Sequence, residues 1–173
     1  MFSRQDQLNK KTGEFGIGRY DFLKQLIHEF ATTTSFDNKK QTLANLSNFA
    51  YDPINYEFMK QLHLIDLFLN VLSDDEEELI HFALAGLCNI ACDPECQEYI
   101  ISLNGVKLLS NFLLHKNEEI SLNALTSLFY ILESKSTEVP KELEQKVFQY
   151  EASPNPRLKN LGKVFLQTHF KKS

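Results

Sequence analysis

The sequence predicts an all-α fold, a short right-handed α-solenoid of about three and a half repeats, and three observations carry that prediction. Residues 43–72 recur at residues 84–113, with Leu43/Leu84, Ala44/Ala85, Leu46/Leu87, Asn48/Asn89, Asp52/Asp93, Pro53/Pro94 and Leu72/Leu113 among the identical pairs. Apolar residues within the repeat are spaced at three and four positions, the helical period. Gly and Pro are scarce, 6 and 5 residues, which argues against a loop-rich or all-β chain. A third copy, 125–134, keeps Leu125 and Leu128 but has Tyr130 where the earlier copies have Asn.

Taken in order, residues 1–17 are polar, carry Gly13 and Gly16 and show no period; they read as a flexible arm. Residues 18–173 read as one repeat domain, with repeats at about 19–53, 54–94, 95–136 and 137–170. The first helix starts near Arg19, and Tyr20, Leu23, Ile27 and Phe30 form its apolar stripe. Asp37 is placed to cap the next helix, which runs through Leu43, Leu46 and Phe49. Asp52-Pro53 and Asp93-Pro94 mark boundaries, because Asp accepts from free first-turn amides and Pro has no amide to leave unpaired. After each boundary the pattern predicts a short helix (54–61, 95–102), a second (64–72, 106–114), a polar connector and a long third helix (79–91, 120–133). A helix over 140–150 and another over 157–170 then close the chain.

Composition excludes several classes. No apolar run approaches the ~18 residues that span a bilayer. The amino terminus lacks the apolar core of a signal peptide, and three cysteines in such a chain are expected to be reduced thiols. Net charge is −5, yet residues 157–173 carry Arg157, Lys159, Lys163, Lys171 and Lys172 and no acid. An acidic body with basic ends is not a general nucleic-acid binder, but it leaves room for a local phosphate or RNA patch at those five residues. The other reading is a solvated end cap, since a solenoid's outermost helix needs a polar face.

Chemistry-bearing motifs are absent. The histidines are scattered, with no HExxH pair, and no GxxxxGK[ST] or GxGxxG loop is present. Cys88, Cys92 and Cys96 stand four apart, but the Asp93-Pro94 break separates their faces, so no metal is expected. The run Asp74 to Glu78 reads as a connector that supplies acids to the next helix's amino terminus, or as an acidic docking point. The expectation is a non-enzymatic chain with no cofactor and no small-molecule substrate.

The segments 18–30 (GRYDFLKQLIHEF), 41–69, 82–100 and 157–167 resemble armadillo-repeat proteins, and their short–longer–longest helix order fits that family better than two-helix HEAT repeats. Within the family the chain is most similar to a small splicing-associated adaptor. That resemblance implies a nuclear protein, or one both nuclear and cytoplasmic. Its implied partner is an RNA-recognition-motif protein in a small nuclear ribonucleoprotein of the minor spliceosome. It also implies that Asn48 and Asn89 face a concave groove, where an amide can donate to and accept from an extended peptide backbone. Asn45, Phe82, Gly86, Asn123, Ser127 and Tyr130 would share that face. The alternative is that each Asn stabilises its own repeat by bonding a neighbouring loop. Import receptors of the class carry Trp four residues before the groove Asn; here Ala44 and Ala85 stand there, so Lys-rich localisation peptides are not the expected ligand.

Overall fold

The computed structural model describes residue 2, residues 17–134 and residues 136–170. Most of the arm, and Lys171 and Lys172 of the basic patch, lie outside the described residues. Every regular element among the described residues is helical. The chain divides into two compact units, Met1–Ile90 and Ala91–Ser173.

The first unit contains α1 (Arg19–Thr32), α2 (Phe36–Phe49), a 3₁₀ turn (Pro53–Asn55), α3 (Tyr56–Gln61), α4 (Leu64–Val71) and α5 (Glu77–Ile90). Helix α2 packs on both α1 and α5, and α4 packs on α5. Leu23, Leu43, Leu46, Phe68, Ala83, Leu84 and Leu87 form its core, all of them without solvent exposure. The cap of α2 is Ser35, whose Oγ accepts from the Asn38 N–H at 3.3 Å; Asp37 falls in the first turn instead. Asp52 makes no side-chain cap bond, because a 3₁₀ turn intervenes before α3. Gly86 is required on α5: a Cβ there would lie 2.5 Å from the Phe68 ring.

The second unit contains α6 (Pro94–Ser102), α7 (Gly105–Ser110), α8 (Glu118–Ile131), α9 (Lys141–Phe148), a 3₁₀ turn (Gln149–Ala152) and α10 (Pro156–His169). Here Asp93 does cap, accepting from the Cys96 N–H at 3.0 Å, and Asn155 caps α10 through the Arg157 N–H at 2.9 Å. Ile100, Leu109, Ile120, Leu125, Leu128, Val147 and Phe165 are fully buried among α6–α10. Helix α7 ends at Ser110, earlier than the expected 114, and the chain turns at Leu114 with φ 62°. The Leu114 N–H donates to Tyr150 Oη at 2.7 Å, a phenol whose pKa burial pushes up, so it stays neutral.

One turn recurs in both units. His63 (φ 54°) and Asn104 (φ 60°) occupy the left-handed region between the short helix and the next one. Their matching places in the repeat make this a built corner. Two buried amides perform a related task. Asn55 Nδ2–H donates to Phe49 O at 2.8 Å and Gln97 Nε2–H to Ala91 O at 2.9 Å, satisfying carbonyls that the Asp-Pro break strips of helical partners.

Candidate protein-interaction surfaces

Within the first unit α2 and α5 carry five of the expected groove residues, and the structure separates their roles. Asn48 is exposed, and among the described residues its side chain has no hydrogen-bond partner. Next to it, Phe49 receives the Arg19 guanidinium at 4.7 Å from its ring centroid and stacks edge-on with half-exposed Phe22 at 5.6 Å. Tyr51 is 60% exposed and contacts Phe2 at 5.6 Å. The segment that carries this exposed amide also carries Phe49 and the exposed Tyr51. Asn45 lies on the same helix, one turn earlier, its Oδ1 accepting from Gln41 Nε2 at 3.3 Å.

Asn89 is different. Its Nδ2–H donates to Ser47 O at 3.0 Å, and its backbone carbonyl accepts from Tyr56 Oη–H at 3.0 Å. Ser47 in turn donates its Oγ–H to Phe82 O. These bonds lock α5 to α2 and α3, so the Asn89 amide is engaged inside the fold. Gly86 is buried beneath Phe68 and presents no surface, which corrects its placement among groove residues. Phe82 is half-buried and stacks with His81.

In the second unit α8 carries Asn123, Ser127 and Tyr130. Ser127 is fully buried, and its Oγ–H returns to Asn123 O at 2.8 Å; the helical register turns it inward, which corrects its placement too. Tyr130 is 37% exposed and packs edge-on against Phe129. Asn123 is half-buried.

The basic end is also divided. Arg157 pairs with Glu119 at 2.6 Å, whereas Lys159 and Lys163 are exposed and, among the described residues, unpaired. The same two lysines line a cleft with Glu144, Phe148, Glu151 and Phe170. Sequence reasoning missed these cleft partners and the Arg19–Phe49–Phe22 cluster. The one available signal was an apolar Phe148 off the Leu143/Val147 stripe of α9. His169 sits between Phe129 and Phe165, and its Nε2–H meets Phe129 O at 3.1 Å. Desolvation lowers its pKa, the Phe129 carbonyl opposing that more weakly.

Cys88 is half-buried, Cys92 exposed and Cys96 buried, and no group of metal-ligating side chains is gathered among the described residues. No described helix is long and apolar enough to cross a membrane.

A helical chain with a 41-residue repeat, Asp-Pro boundaries and recurring left-handed corners is a protein of the armadillo α-solenoid class. The armadillo/β-catenin-like repeat model matches residues 93–133. The chain is 52% identical to mouse Armadillo repeat-containing protein 7 over 155 residues, 87% of this chain and 78% of that protein, and it belongs to the armadillo-repeat family. Among solved structures an engineered protein is similar with a TM-score of 0.71 at 19% identity, over 87% of this chain and 66% of that one. A designed armadillo repeat protein, YIII(Dq)4CqI, gives 0.68 at 22%, over 84% and 63%. The chain spans slightly less than two thirds of the length of these two. Another designed armadillo repeat protein, in complex with the peptide (KR)4, gives 0.67 at 16% identity, over 87% and 69%. Armadillo repeats are an interaction scaffold, and that is the class of protein described here.

Proposed function

We propose that this chain is a non-enzymatic nuclear adaptor that holds an RNA-recognition-motif protein within a ribonucleoprotein of pre-mRNA splicing, the minor spliceosome in particular. The observation that carries a peptide- or loop-binding face is Asn48, an exposed amide that among the described residues has no hydrogen-bond partner, in a segment that also carries Phe49 and exposed Tyr51. An amide of this kind pairs with a backbone N–H and C=O at once, and the neighbouring rings supply apolar area at low entropic cost. The splicing assignment rests on the family resemblance alone. Purification of the tagged protein from nuclear extract, with and without ribonuclease, tests it. A stoichiometric RNA-recognition-motif protein that survives ribonuclease is the expected result, and its absence from both preparations rejects the reading.

A second reading, direct RNA or phosphate contact at the carboxyl end, is favoured by the exposed ammonium groups of Lys159 and Lys163, which among the described residues are unpaired. It predicts affinity for single-stranded RNA that falls with salt and falls further in Lys159→Glu/Lys163→Glu. No binding at low salt removes it.

A further inference from the structure

The cleft between α9 with its following 3₁₀ turn and α10 measures about 520 Å³, and its make-up is two-sided. One wall is acidic, Glu144 and Glu151. The other is basic, Lys159 and Lys163, one helical turn apart. All four are exposed, and among the described residues none of the four charges has an ion-pair or hydrogen-bond partner. Between the walls lie Phe148, 58% exposed on a helix whose other apolar residues are buried, and half-buried Phe170. Surface charges need no partner and a single exposed Phe is ordinary; what sets this strip apart is that two rows of opposite charge flank it.

Such a strip is complementary to itself. A two-fold axis running parallel to the cleft carries each wall onto the opposite side, so the acid row of one copy meets the basic row of the other. The apolar floors then close on each other. A two-fold across the cleft would oppose like charges, so only one orientation is favoured. We propose that this cleft is an isologous docking surface for a second copy of this chain, independent of the Asn48 face. The patch is small, so the dimer is weak and salt-sensitive.

Sedimentation velocity on the full chain over a concentration series tests the proposal. The expected result is a monomer–dimer equilibrium that weakens as salt rises from ~0.05 to ~0.5 M. Lys159→Glu/Lys163→Glu makes both walls acidic and Glu144→Lys/Glu151→Lys makes both basic; each alone weakens self-association at least about tenfold. Mixing the two variants produces a heterodimer, and the fourfold swap in one chain restores the homodimer to within about threefold. RNA would follow the lysines alone, so Glu144→Lys/Glu151→Lys would bind RNA more tightly while losing self-association. A wild-type chain that stays monomeric up to ~1 mM, or a fourfold swap that fails to restore the dimer, overturns the proposal. All four positions are exposed, and circular dichroism checks that each variant is folded.

Discussion

Two asparagines at the same place in consecutive repeats do different work. Asn48 ends α2 with its amide in solvent. Asn89 ends α5 with its amide on Ser47 O, its carbonyl under the Tyr56 hydroxyl, and Phe82 tied to Ser47 beside it. The difference follows from what lies upstream. Helix α2, one repeat before α5, offers the Ser47 carbonyl in its last turn, the place where helices leave acceptors unsatisfied. Residue 6 is the counterpart for Asn48, and it falls in the arm, outside the described residues. Identical letters in a repeat therefore give one exposed amide and one amide engaged inside the fold.

The largest expected effect lies beneath this pair. Phe68 is fully buried against Gly86, so Phe68→Ala should lower stability by about 3–5 kcal/mol. Urea denaturation with an unchanged slope is the check, and a loss below ~1 kcal/mol would mean that α4 and α5 do not share one core. Next comes Asn89→Ala, expected to cost about 1–3 kcal/mol because Ser47 O is left part-buried without a donor. Asn48→Ala should stay within about 0.5 kcal/mol of the parent. Equal losses at the two sites would erase the distinction.

Capping gives a smaller effect. Asp93→Ala removes the acceptor for the Cys96 N–H and should cost about 1 kcal/mol, read as a lower thermal midpoint.

One acid-sensitive group of the second unit is His169. Desolvation between Phe129 and Phe165 holds the His169 pKa below its ordinary 6.5. In the unfolded chain the imidazole takes up a proton as pH falls through about 6.5, while the folded one resists, so the unfolded state binds more protons. Stability contributed by the neutral ring is thus present above that pH and lost below it. His169→Gln should flatten the fall in stability as pH drops below about 6.5; an unchanged slope would point to another group.

The smallest effect is at the corners. Replacing His63 by Gly should stabilise by up to about 1 kcal/mol, and the same change at Asn104 by less, because Asn tolerates the left-handed region.

Much of this was legible beforehand. The 41-residue period, the Asp-Pro boundaries and the Leu positions of the core come straight from helical spacing and from what Asp and Pro do at a first turn. Capping details were not, because Ser35 and Asp37 are equally able to accept and only the backbone path chooses between them. Gly86 and Ser127 were misplaced for a related reason. A periodicity argument assigns a face within a helix, whereas burial depends on which helix packs against that face, and Phe68 comes from a different element. The Arg19–Phe49 contact and the charge rows of the carboxyl-terminal cleft join residues from separate helices, a juxtaposition that no local pattern encodes.

The division of labour between the two asparagines is tested most directly by crossing two readouts on two variants. Affinity for the ribonuclease-resistant protein partner and urea stability would be measured for Asn48→Ala and Asn89→Ala. The account predicts that Asn48→Ala keeps its stability and loses about tenfold in affinity, roughly one amide pair, while Asn89→Ala loses stability first. An Asn48→Ala protein that binds its partner as tightly as the parent would contradict it.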